Sequence, residues 1–121
     1  MPKEPLIAII DDDASFRASL VDLLSSIAYR AEAFACAEDF IAATANPYDC
    51  VVSDVHMPGM SGIDLQRLLA SRAYPVPVIM VTGRTEPGLE QRVVSSGAVC
   101  LLKKPFDADV LIDCLERVLK P

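Results

Sequence analysis

Apolar and polar positions alternate between two periods along the chain. Leu6 to Ile10 is an unbroken apolar run that stops at Asp11-Asp12-Asp13. Phe16, Leu20, Leu23, Leu24 and Ile27 then recur at helical spacing. Asp13 and Ser15 are the two candidate caps for that helix. Ala31 to Ala35 reads as the next strand, and Ala37 to Thr44 as a short helix that turns Phe40 and Ile41 inward and is broken by Asn46-Pro47. Cys50-Val51-Val52 opens a third strand ending at Asp54. Pro58 to Gly62 is a loop, and Ile63, Leu65, Leu68 and Leu69 mark a helix with Ser61 as its N-cap. Val76 to Val81 is the strongest strand signal, ending at Thr82-Gly83, with Pro77 tolerated only near its start. Leu89 to Ser96 predicts a weakly amphipathic helix that Gly97 stops. Val99 to Leu102 predicts the last strand, ending at Lys103-Lys104-Pro105. Val110, Leu111, Cys114, Leu115, Val118 and Leu119 mark a strongly amphipathic helix, with Asp107 where its cap belongs.

Five strands alternating with five helices follow from this pattern. Strands that are apolar throughout, rather than at every second residue, are buried on both faces. Strand–helix alternation with short connections implies parallel pairing and right-handed crossovers. The expected fold is α/β, a doubly wound five-stranded parallel sheet.

Composition narrows the function classes. A chain of 121 residues buries about two-thirds of its unfolded surface, enough for one core, so residues 1–121 are expected to form a single domain. With 52% apolar and 23% charged residues it is not a disordered chain. Seventeen acidic against 11 basic side chains give a net charge of -6, which argues against direct binding to a nucleic-acid backbone. The run from Leu6 to Ile10 is too short for a signal peptide or for the ~20 apolar residues of a membrane span, so a cytoplasmic location without membrane contact is expected. Cys36, Cys50, Cys100 and Cys114 form no Cys-x-x-Cys pair and sit in or beside apolar stretches. They read as buried free thiols in a reducing cytosol, with a disulfide or a zinc site as the lesser alternatives.

The chemistry should gather where polar residues follow the strands. Asp11-Asp12-Asp13, Asp54, Thr82 and Lys103-Lys104 each stand at the C-terminal end of a predicted parallel strand. In open α/β sheets that edge holds the ligand crevice. Taken singly, each has a bland reading. The aspartates make a solvated, helix-capping turn, Thr82 is a turn residue, and Lys104 is a surface lysine. Taken together, carboxylates around one concavity call for a hard divalent cation, and Mg²⁺ retaining several waters fits best. A cation site, a carboxylate, a hydroxyl and an ammonium then compose a phosphoryl site, with Asp54 as a candidate nucleophile.

The motifs Ile10-Asp11-Asp12-Asp13, Asp54-Val55-His56-Met57-Pro58-Gly59-Met60-Ser61-Gly62, Val81-Thr82-Gly83 and Lys104-Pro105-Phe106 occur in order across nearly the whole chain. In this the sequence resembles response-regulator receiver domains of two-component signalling, FixJ-like branch. The resemblance implies a flavodoxin-like sheet of order 2-1-3-4-5. It implies that Asp54 is the phospho-acceptor from a sensor histidine kinase, with Thr82 and Lys104 contacting the phosphoryl oxygens. It implies Mg²⁺ held by Asp11, Asp12, Asp54 and the backbone carbonyl of His56, and a cis Lys104-Pro105 bond. Asp13 falls outside the acidic pair and reads as a cap, and Lys103 is expected to point away. His56 and Arg84 occupy positions expected to tune the lifetime of the aspartyl phosphate.

The same resemblance places the output surface on the helix near Leu89 to Ser96, the last strand and the last helix. A phosphorylation-dependent homodimer or partner contact is expected there, and DNA contact only through an effector domain absent from this chain. One position departs from the family. Leu101 stands where receivers usually carry Tyr or Phe as a rotamer switch. Two other readings stay open: a pseudo-receiver acting as an interaction module, and an aspartate-nucleophile phosphohydrolase. The latter needs a carboxylate two residues after its nucleophile, where this chain has His56.

Overall fold

The computed structural model describes residues 4–43, 47–72, 76–84 and 86–119. The elements run β1 (Leu6–Ile10), α1 (Ala14–Ser26), β2 (Arg30–Phe34), α2 (Ala37–Ala42), β3 (Cys50–Asp54), α3 (Gly62–Ala70), β4 (Val78–Thr82), α4 (Leu89–Ser95), β5 (Cys100–Lys103) and α5 (Ala108–Leu119). All neighbouring strands pair in parallel, in the order β2-β1-β3-β4-β5. The expected fold class and strand order are both found. Boundaries differ from the pattern by one or two residues. Thr44 and Asn46, read as the end of the second helix, lie outside the described residues.

Three of the strands, β1, β3 and β4, are buried at every residue, as continuous apolar runs require. The edge strand β2 is half-exposed instead, because its sequence alternates around Glu32. Side chains alternate across the sheet and split the core in two. Ala8, Ile10, Val51 and Met80 face α2, α3 and α4, meeting Phe40, Leu65, Leu69 and Val93. Ile7, Ile9, Val52, Ile79 and Val81 face the other way, meeting Leu20, Leu24, Leu111 and Leu115 of α1 and α5. Sandwiching the sheet this way covers its two faces and leaves the C-terminal ends of the strands at an open rim.

Local signals set the helix starts. The Asp13 carboxylate caps α1 by accepting the N–H groups of Ser15 and Phe16, so of the two candidate caps Asp13 serves. Ser61 caps α3 through a capping box with Asp64. Gly88, with φ +78°, starts α4, and Gly97, with φ +98°, follows its end. That helix is anchored in the core by Leu89 and Val93 alone, while Val94 is largely exposed.

The thiol expectation needs correction. Cys36 and Cys50 are free, but Cys100 and Cys114 are joined in a disulfide. Strand β5 packs against α5, and that packing brings residues 14 apart in sequence to a Cα separation of 7.2 Å. Spacing along the chain carries no sign of it.

Candidate functional site

Parallel pairing carries the polar strand ends to one rim. Asp11 follows β1, Asp54 ends β3, Thr82 ends β4, and Lys104 follows β5 across a cis Lys104-Pro105 bond. Carboxylate oxygens of Asp11, Asp12 and Asp54 all lie within 4.8 Å of one another. Asp11 is buried and Asp54 nearly so, whereas Asp12 is exposed.

The Lys104 ammonium answers two of these charges. Lys104 Nζ is 2.7 Å from Asp11 Oδ2 and 3.7 Å from Asp54 Oδ2. It also stands over the Phe16 ring, 4.0 Å from the centroid, which fixes the ammonium from the α1 side. Asp11 is held further: its Oδ1 accepts the Asp13 N–H at 2.9 Å, and its backbone oxygen accepts from Arg17 at 2.7 Å. Lys103 is exposed and borders a cleft together with Thr82.

Asp54 is electrostatically uncomfortable. Burial, and then the Asp11 charge, push its carboxyl above the usual range. Lys104 and the His56 N–H, which donates to Asp54 Oδ1 at 3.2 Å, pull the other way but less strongly. Behind Asp54 the chain has no spare room. A Cβ at Gly62 would overlap the Asp54 backbone oxygen, so glycine is required there for close approach.

Thr82 is fully buried, and its hydroxyl is engaged locally. Oγ1 accepts the Arg84 N–H at 3.0 Å, lies 3.2 Å from the Arg84 carbonyl oxygen, and sits 3.4 Å from His56 Nδ1. The other imidazole nitrogen, Nε2, contacts Glu86 Oε1 at 2.8 Å, and Glu86 Oε2 accepts from Arg92 of α4 at 2.8 Å. Desolvation, the largest single cause, raises the Glu86 pKa, but Arg92 and His56 together outweigh it and hold the carboxyl below its ordinary range. A string of polar contacts thus runs from the site rim to α4.

Two spaces adjoin the site. A cleft of about 400 Å³ over the rim is lined by Asp12, His56, Met57, Ser61 and Arg84, among others. A second, also about 400 Å³, lies between β4, α4 and β5 and is bordered by Thr82, Leu89, Leu101 and Lys103. Leu101 therefore stands beside Thr82 with space around it.

Asp11, Asp12, Asp54 and Lys104 meet at this rim, Thr82 and His56 contact each other beside it, and Asp13 serves as a cap. Phe16, Arg17 and Glu86 were missed. Phe16 sits on a helical apolar stripe that reads as core, and Arg17 and Glu86 carry no local signature of their roles. The donor set fits a hard divalent cation: three carboxylates with one bound ammonium leave net negative charge, and the group found among the described residues offers carboxylate oxygens alone. Among the described residues, no helix is long and apolar enough to cross a membrane.

Comparison with known proteins bears on the fold and the family. FixJ, a transcriptional regulatory protein of Bradyrhizobium diazoefficiens, is 37% identical over 94% of this chain and 56% of its own length. The chain thus spans about half the length of the curated relatives it matches. The chemotaxis response regulator CheY4 of Vibrio cholerae superposes with a TM-score of 0.85 at 29% identity, over 96% of this chain and 99% of that one. The crystal structure of FixJ-N gives 0.87 at 30% identity, over 98% and 95%. Residues 7–116 match the family described as the response regulator receiver domain, and the chain belongs to that family.

Proposed function

We propose that this chain is a phosphorylation-driven switch that takes a phosphoryl group onto Asp54 from a phosphohistidine of a sensor histidine kinase. The observation that carries the reading is the cluster of Asp11, Asp12 and Asp54 oxygens within 4.8 Å, with the Lys104 ammonium against two of them. An Asp54 oxygen attacks phosphorus as the bond to the histidine nitrogen breaks, and the imidazole leaves with the electron pair. Lys104 neutralises one phosphoryl oxygen and Thr82 donates a hydrogen bond to another, so charge spread over the transferring group meets fixed donors. Asp11, Asp12, Asp54 and the His56 carbonyl would hold Mg²⁺, which when bound supplies positive charge to the phosphoryl oxygens. The domain assists its own phosphorylation and hydrolysis without being a conventional turnover enzyme.

Output is assigned to α4, β5 and α5. Thr82 can serve the phosphoryl group only by leaving Arg84, and that exchange disturbs the loop into α4. A phosphorylation-dependent homodimer through this face is part of the proposal. Any DNA contact falls to an effector domain, not to this acidic one. The setting is cytoplasmic, where the kinase domain and its phosphodonor reside.

Incubation with acetyl phosphate and Mg²⁺, followed by intact-mass analysis, tests the reading. An adduct of roughly 80 Da, one phosphoryl unit, that is absent in Asp54→Asn supports it. A folded protein that never gains the adduct is an interaction module instead. Release of phosphate over many turnovers makes it a phosphohydrolase.

A further inference from the structure

We infer that Cys100 and Cys114 form a reversible dithiol–disulfide site on the β5–α5 face, closed by exchange with a low-molecular-weight disulfide. Their sulfurs are in contact, across a Cα separation of 7.2 Å between β5 and α5. Arg117, on the last turn of α5, adds the chemistry. Its Nη2 is 3.4 Å from Cys114 Sγ and 3.9 Å from Cys100 Sγ, a cation placed beside both sulfurs, where it favours thiolate over thiol.

Accessibility sets the order of events. Cys100 is partly exposed and Cys114 is buried. The Cys100 thiolate attacks one sulfur of the incoming disulfide and releases one small thiolate. Cys114 then attacks the Cys100 sulfur and releases the second. Two electrons pass from the protein to the small disulfide, and the protein's two thiol protons end on the released thiols. The remaining cysteines are unsuited to this. Cys50 is fully buried, and burial pushes its thiol up to about 12, so it stays protonated and inert. Cys36, between β2 and α2, has no partner thiol among the described residues.

In the cytoplasmic setting proposed above, disulfides are mostly transient and redox-sensing rather than structural. Strand β5 and helix α5 are also two of the three elements assigned to output, so the bond governs whether they move independently.

The test uses the intact chain in glutathione mixtures of graded ratio, acid-trapped, alkylated and mapped by mass. The expected result is a reversible loss of roughly 2 Da confined to Cys100 and Cys114, with Cys50 unmodified. The oxidised form is expected to melt about 5–10 °C above the reduced one. Cys114→Ser should retain one glutathione as a mixed disulfide on Cys100. Arg117→Gln should slow closure by roughly threefold or more while leaving the melting of the reduced protein unchanged. A pair that remains dithiol at every ratio overturns the inference, as does a bond that native-state reductant cannot open. None of these readouts depends on phosphorylation, so they stand or fall apart from the acceptor role of Asp54.

Discussion

Neutralising Asp54 should stabilise the metal-free protein, although the residue is central to the proposed chemistry. Its carboxylate lies within 4.8 Å of those of Asp11 and Asp12. At an effective dielectric of 20, each such pair repels by about 3.5 kcal/mol. Lys104 at 3.7 Å returns about 4.5 kcal/mol, but it is shared with Asp11 at 2.7 Å. Burial adds a further cost to the ionised form. Asn at this position keeps an oxygen for the His56 N–H and removes the repulsion. Asp54→Asn is therefore expected to gain about 1–3 kcal/mol, with about 4 °C in Tm for each kcal/mol in a chain this size. Urea titration at neutral pH in EDTA measures it. The pH dependence has a fixed sign. A carboxyl whose folded pKa is raised favours the folded state while protonated, and that contribution is lost as pH rises through the folded pKa. The advantage of Asp54→Asn should accordingly shrink in acid and be full at neutral pH. Mg²⁺ at about ten times its Kd should stabilise the wild type by about 1.4 kcal/mol and the variant far less. A variant less stable than wild type in EDTA, or one whose advantage grows toward acid, would refute the electrostatic account.

Other substitutions probe the same rim. Lys104→Met leaves the buried Asp11 carboxylate unpaired and should cost about 2–4 kcal/mol in urea, below the full cost of breaking a buried pair because the lysine is one-fifth exposed. Adding Asp11→Asn should recover most of that loss, and simple additivity of the two changes would dismiss the pairing. Gly62→Ala drives a methyl group against the Asp54 backbone oxygen, with Met80 Sδ at 3.0 Å and Val55 Cα at 3.1 Å. It should lower Tm by about 4–12 °C, and an unchanged melting curve would mean the turn relaxes freely. His56→Ala removes the imidazole bridging Thr82 and Glu86 and should lengthen the aspartyl-phosphate lifetime roughly tenfold if the ring promotes attack by water. Equal decay rates of phosphorylated wild type and variant remove His56 from that step.

The architecture was legible because burial on both faces leaves a plain mark: Leu6–Ile10 and Val78–Val81 are apolar without interruption. The site was legible for a related reason. Parallel strands all end at the same rim, so a polar residue after each apolar run is placed without any tertiary information. What failed to show in the sequence depends on helix packing. Phe16 lies on a stripe with Leu20 and Leu24, yet only the approach of the β5–α5 connection puts Lys104 over its ring. Glu86 meets His56 because two loops cross, and Cys100 meets Cys114 because α5 lies along β5. None of these pairs has a periodicity, since each joins elements whose separation in space is set by the whole core.

For the proposed switch, the absence of an aromatic at Leu101 shifts where the energy has to come from. In the unmodified protein the Thr82 hydroxyl is satisfied within its own loop, by Arg84 and near His56. Turning it toward a phosphoryl group gives up hydrogen bonds worth about 1 kcal/mol each. The carboxylate cluster that a phosphoryl group, Lys104 and a cation would jointly relieve holds about 1–3 kcal/mol, by the reasoning applied to Asp54. The two quantities are of the same size, and they match the roughly 1–3 kcal/mol typical of coupling between sites. An aromatic ring sealing the space behind Thr82 is thus not needed to balance the exchange. On the proposed reading the displacement passes instead to Arg84 and Glu86, and from Glu86 to Arg92, whose ion pair with Glu86 ties this loop to α4. Leu101 and Thr82 both border the cleft of about 400 Å³ between β4, α4 and β5, so the proposed α4 response meets no aromatic ring at position 101. On this account Glu86→Gln, which weakens both of its ion pairs while keeping the chain's shape, should loosen the link between Asp54 phosphorylation and α4 and leave the phosphorylation yield itself intact. Amide exchange of α4 with and without acetyl phosphate reads that link, and an α4 response identical to wild type would show that the loop transmits by another route.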